Sequence, residues 1–137
     1  MKREFEFRVW DNDDKKYMTL DNYEKMGCVM LNNDGTLYLT SDYRFVLNMM
    51  IKLDKYVVEQ YTGLKDKNGV EIFEGDIVKN TLVLENNTFN TNIDAVEFNQ
   101  EDCSFMLGKN KRHFNKNLDL EVIGNIHEDN KGSNKDE

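Results

Sequence analysis

A chain of 137 residues with a formal net charge of −8, 32% charged and 39% hydrophobic, is one domain or two small subdomains sharing a core. Its 8 Phe, 6 Tyr and 1 Trp can anchor that core, which argues against a disordered chain. No apolar run is long enough for a membrane span, two cysteines do not make a secreted disulfide scaffold, and the acidic balance repels phosphate backbones unless bases gather locally.

The opening residues, MKREFEFRVWDNDD, lack the apolar core of a signal peptide, so a cytoplasmic protein is expected. Phe5, Phe7 and Val9 alternate with Glu6, Arg8 and Trp10, a strand pattern. The turn-forming DNDDKK follows, and YMTL resumes the apolar pattern, so a hairpin is predicted with its loop near Asp11 to Lys16. CVML and TLYLT flank Asn32-Asn33-Asp34-Gly35, a second hairpin whose turn needs left-handed backbone.

Residues 44–53 fit two patterns. Phe45, Leu47, Met49, Ile51 and Leu53 alternate as in a strand; Phe45, Val46, Met49, Met50 and Leu53 form a helical stripe, with Ser41 or Asp42 as a cap. The unbroken alternation favours strand, and Met49 and Met50 read as core filler.

YVVEQYTGL is a strand rich in β-branched and aromatic residues. The stretch from Gln60 to Val78, QYTGLKDKNGVEIFEGDIV, reads as strand, turn, strand, bend, strand. Thr62-Gly63 ends the first strand, Asp66 to Gly69 makes a hairpin turn, and Glu74-Gly75-Asp76 bends the chain. Gly63, Asp66, Asn68, Gly69, Gly75 and Asp76 are thus structural turn residues. DIVKNTLVLE is the next strand, NNTFNTN a polar loop, and IDAVEFN, SFMLG and LEVIGNIH further short strands.

The predicted fold is mainly β (β-rich α+β). An N-terminal β-rich lobe covers 1–57, a small SH3-like barrel of about five strands covers 58–127, and a disordered tail without apolar residues covers 128–137.

Asp66-Lys67-Asn68-Gly69 resembles a calcium loop only briefly. An EF-hand places glycine sixth, and here it is fourth. Cys28, Cys103, His113 and His127 have no metal-ligand spacing. Glu71, Glu74 and Asp76 could divide acid and base roles, but they flank a glycine bend, where Asp76 suits backbone N–H groups. Nucleophile and phosphate-loop motifs are absent. No catalytic residue, cofactor or metal is therefore assigned, and a non-enzymatic protein is expected. GKNKRHFNK gathers Lys109, Lys111, Arg112, His113 and Lys116 around Phe114. Lys109, Lys111, Arg112 and Phe114 are candidate nucleic-acid contacts, cations for a backbone and a ring for a base. A solvated loop between two strands is the plainer reading, since the rest of the chain repels phosphate.

EFRVWD near the N-terminus, QYTGLKDKNGVEIFEGDIV in the middle and EVIGNIHE near the C-terminus resemble, in order, the three signature blocks of the YopX family. These are small proteins of phages and prophages in low-GC Gram-positive bacteria. The blocks span residues 5–128. The resemblance implies a β-rich phage or prophage accessory protein that forms homo-oligomers, and it brings no catalytic residues. The Asn-rich connection from Asn80 to Asn92 and the ending HEDNKGSNKDE depart from the pattern and could carry a member-specific function.

The expected activity is protein–protein interaction, with a host or defence protein as partner and inhibition of a host defence or nucleic-acid enzyme as its pointed form. The alternative is a single-stranded DNA or RNA-binding module using the barrel and its basic loop.

Overall fold

The computed structural model describes residues 6–19, 28–31, 37–40, 50–52, 54–108 and 111–128. Every regular element among them is a β-strand, so the fold is mainly β. No helix among the described residues is long and apolar enough to cross a membrane. The turn at Asn32 to Gly35, residues 44–49 of the ambiguous segment, Lys109 and the tail beyond 128 lie outside the described residues. Within the ambiguous segment, Met50–Lys52 is strand.

Two compact units divide the chain between Gln60 and Tyr61. The N-terminal unit, Glu6–Gln60, holds β1 (Phe7–Asp11), β2 (Lys16–Tyr17), β3 (Cys28–Leu31), β4 (Leu37–Thr40) and β5 (Met50–Lys52). It also holds the first half of β6 (Tyr56–Lys65). β1 pairs antiparallel with β2 on one side and β6 on the other, while β3, β4 and β5 form an antiparallel sheet.

The alternation expected in β1 breaks at its end, where Val9, Trp10 and Asp11 are all buried. Trp10 is covered because its ring meets Tyr17, its cross-strand partner, edge-on at 5.0 Å. Asp11 is buried because it closes the β1–β2 turn. Its Oδ1 accepts the N–H of Asp13 at 2.8 Å and of Asp14 at 3.1 Å, and Lys55 Nζ lies 3.5 Å from Oδ2. Glu59 is buried in the middle of an apolar strand. Arg8 Nε donates to its Oε2 at 2.6 Å and the Tyr17 hydroxyl at 3.0 Å, with the Arg8 guanidinium over the Tyr17 ring. A buried carboxylate held this way is satisfied rather than stranded.

In the C-terminal unit, β6 continues into β7 (Glu71–Phe73), β8 (Asp76–Val83), β9 (Phe89–Asn99), β10 (Ser104–Leu107), β11 (Arg112–His113) and β12 (Leu118–Asn125). The last five form an antiparallel sheet in the order β11-β10-β9-β8-β12. Ile72, Val78, Val96 and Leu107, each no more than 1% exposed, make its core, with Phe105, Phe114, Leu118, Leu120 and Val122 packed against them. Burying each such side chain contributes roughly 1.5–3 kcal/mol.

Three local outcomes differ from the sequence reading. Thr62-Gly63 does not end a strand. β6 runs on to Lys65 through a register shift, with Gly63 at φ +86° and the Thr62 hydroxyl donating to the Ile72 carbonyl at 2.7 Å. The polar loop NNTFNTN is mostly strand. Leu84 N–H donates to Thr88 O at 2.8 Å and Asn87 N–H to Leu84 O at 2.9 Å, a three-residue turn in which Asn87 takes the left-handed position at φ +60°. Backbone pairing then starts at Val83↔Phe89, overriding the low strand preference of asparagine. Finally, Arg112 and His113 form a short strand against β10 rather than a free loop.

The turn from Asp66 to Val70 does two jobs. Gly69 N–H donates to Asp66 O at 3.0 Å and Asp66 N–H to Val70 O at 2.8 Å, with Gly69 left-handed at φ +81°. Asp66 Oδ1 accepts the N–H of Asn68 at 2.8 Å and of Val70 at 2.9 Å. Its Oδ2 accepts Val122 N–H at 3.0 Å, and Lys67 N–H donates to Leu120 O at 2.9 Å. The turn thereby supplies the hydrogen bonds that a neighbouring strand would make to β12, and covers an otherwise unpaired edge. At the next bend Asp76 Oδ2 accepts Phe73 N–H at 2.8 Å, while Gly75 donates to Val96 O and accepts from Ile126 N–H.

Candidate functional site

The register of β8, β9 and β12 sorts their side chains onto two faces. The inner face carries Val78, Asn80 and Leu82 from β8, with Asn90, Asn92, Asp94 and Val96 from β9 and Leu118, Leu120 and Val122 from β12. It is apolar at the core end and turns polar where Asn80 and Asp94 meet. Asn80, 1% exposed, donates from Nδ2 to Asp94 Oδ2 at 2.9 Å. Arg112 reaches the same oxygen through Nη2, forming an ion pair. Gly108 makes room for this group. A Cβ there would lie 2.9 Å from Asp94 Cγ and closer still to its Oδ1.

Beyond the Asn80–Asp94–Arg112 cluster a cleft of about 320 Å³ opens. Leu82 and Leu118, cross-strand partners, give it an apolar wall. Asn90, Asn92 and Asn115 supply amides, and Lys111, Arg112 and His113 form the basic side. Asp94 does not line the cleft; Asn80 and Arg112 lie between.

Of the basic cluster read from the sequence, Lys111 and Arg112 therefore come together, but both have carboxylate partners. Lys111 Nζ lies 2.7 Å from Glu101 Oε2, between two exposed side chains. Phe114 does not join them: it packs on the core and lines a separate hollow with Leu64, Lys65, Lys116 and Leu120. Lys109 is outside the described residues. Asp76 is fully buried with its carboxylate on Phe73 N–H. Cys103 is exposed, with Sγ 3.4 Å from Gln100 O. No three His, Cys, Asp or Glu among the described residues gather as a metal-holding group.

The outer face presents Lys79, Thr81 and Val83 from β8 and Phe89, Thr91 and Ile93 from β9. Thr81 and Thr91 share a hydroxyl–hydroxyl hydrogen bond of 3.1 Å. Phe89 is 70%, Ile93 62% and Val83 51% exposed. Reading NNTFNTN as a loop hid this strip and the asparagine wall opposite. The signal that could have found both is the period-two alternation Phe89-Thr91-Ile93 against Asn90-Asn92.

Residues 6–131, nearly the whole chain, match the family model described as YopX protein. The crystal structure of protein EF1440 from Enterococcus faecalis is similar to this chain, with 26% sequence identity and a TM-score of 0.52. The likeness covers 92% of this chain and 95% of that one. No curated protein matches.

Proposed function

The chain belongs to the YopX protein family, and from that premise we propose that it is a non-enzymatic accessory protein of a phage or prophage, acting in the host cytoplasm by binding another protein. The observation that carries this is the exposed strip of Val83, Phe89 and Ile93. Single exposed apolar residues are ordinary, but three on one face of a hairpin, two of them cross-strand partners, support an interaction surface. Register sets Val83 opposite Phe89, and Ile93 lies two pleats further along the same face of β9, beyond the Thr81–Thr91 pair.

Charge narrows the partner. Glu97, Asp119 and Glu121 share the outer face with the strip, against Lys79 and against Lys67, whose Nζ lies 3.6 Å from Asp119 and 3.3 Å from Glu121, and the whole chain carries −8. A partner with an apolar spot ringed by basic residues is complementary, and the nucleic-acid-binding face of a host or defence enzyme has that character. Binding of such a partner should weaken as salt rises from about 0.05 to 0.5 M, since exposed charges are screened over that range. Salt-independent binding would remove the charge component.

The homo-oligomer implied by the family resemblance competes for the same strip. Light scattering separates the two: a monomer at micromolar concentration leaves the strip for a partner, and a dimer dispersed by Phe89→Glu would assign it to self-association. Single-stranded DNA or RNA binding through the basic loop draws less support, because Phe114, the ring that would stack on a base, packs on the core.

A further inference from the structure

We infer that the inner-face cleft is a binding site for a single nucleotide, with the phosphate at Lys111, Arg112 and His113 and the base against Leu82 and Leu118, its edge met by the amides of Asn90, Asn92 and Asn115. The volume, about 320 Å³, is at the small end of the range for ligand pockets and suits one compact polar molecule.

The lining selects the chemistry. Among the described residues no carboxylate lines the cleft, which disfavours a metal cation or a polyamine. Among the described lining residues the one ring is the His113 imidazole, so the apolar contact to a ligand comes from Leu82 and Leu118. Three amides are too polar for an acyl chain. What remains is a ligand with an anion at one end and a body that is apolar on its face and hydrogen-bonding at its edge. Asparagine amides, donor and acceptor together, match the edge of a base.

The cations can serve. Lys111 and Glu101 form an exposed pair, 52% and 80% accessible, and such pairs contribute only about 0.2–1 kcal/mol, so a phosphate can take the ammonium. Arg112 is held in place by Asp94, and its buried Nε has no hydrogen-bond partner among the described residues. The guanidinium is therefore pre-positioned, with part of the side chain exposed at the cleft. Asn80, pinned to Asp94, closes the back of the cleft.

The test is titration of the ¹⁵N-labelled full chain with AMP, GMP, CMP and UMP, with adenosine and inorganic phosphate alongside. At least one nucleotide is expected to shift amides of residues 80–92 and 111–118 saturably. It should bind at least about tenfold tighter than adenosine or phosphate alone, a difference of about 1.4 kcal/mol. Lys111→Gln and Asn92→Ala, both at positions outside the core, should each weaken it several-fold with an unchanged melting temperature. Three results would overturn the assignment: no saturable shift with any nucleotide, shifts confined to other residues, or phosphate binding as tightly as the nucleotides. Binding indifferent to both substitutions would do so as well. None of these bears on the outer strip, which lies on the opposite face.

Discussion

The carboxylate of Asp66 accepts the backbone N–H of Val122 at 3.0 Å, across 56 positions of sequence. The same side chain closes its own turn through Asn68 and Val70. One buried residue thus ties a local hairpin to the edge strand of the sheet that carries both candidate surfaces. Asp66→Ala leaves three backbone donors without this acceptor and should cost on the order of 3 kcal/mol, read by urea or thermal unfolding. Asp66→Asn, which keeps one accepting oxygen, should lose less. An Asp66→Ala chain as stable as wild type would contradict the clamp.

Acid should weaken the same clamp. Burial works to raise the pKa of Asp66, but the N–H groups of Val122, Val70 and Asn68, with Lys67 nearby, more than offset it and hold the group below 3.8. Asp11 has the same balance, burial opposed by Asp14 and Asp13 N–H and by Lys55. A carboxylate with a lowered folded pKa contributes stability that is fully present above its unfolded value and is lost as pH falls through the folded one. Wild-type stability should therefore drop as pH falls from about 4 downward, and Asp66→Ala should flatten that acid limb. An equally steep limb in the variant would show that other groups control it.

Two glycines separate backbone strain from crowding. Gly69 and Gly108 both have positive φ, +81° and +70°, but an added Cβ at Gly69 meets nothing within 4 Å, whereas at Gly108 it runs into Asp94. Gly69→Ala should cost only the left-handed penalty, about 1–2 kcal/mol. Gly108→Ala should cost more, because Asp94 is fixed by Asn80 and Arg112 and cannot step aside freely. The reverse order in unfolding experiments would show that the Asp94 cluster is loose.

The mainly β fold was legible because the strands alternate and the turns carry their own chemistry. Asp66-Lys67-Asn68-Gly69 announces a turn, and the structure builds one there. The equivalent turn at Leu84 to Thr88 was not legible, because Asn87 rather than glycine takes the left-handed position, inside a run of polar residues that reads as loop. The candidate surfaces were hidden for that reason: Phe89 and Ile93, and Asn90 and Asn92 behind them, lie in the stretch read as polar loop or beside it. The basic cluster was visible, but its partners Asp94 and Glu101 are 18 and 10 positions away. Only the folded register shows that the two cations are matched and that Phe114 turns to the core.

Protein binding through the outer strip is tested most directly by parallel capture from host lysate with wild type and with a chain carrying Phe89→Glu and Ile93→Glu. Both positions are exposed, so the two chains should melt alike. The expected result is a discrete basic, nucleic-acid-binding host protein retained by wild type at physiological salt and lost by the double variant. Retention of the same proteins by both chains, or of none by wild type, would contradict it.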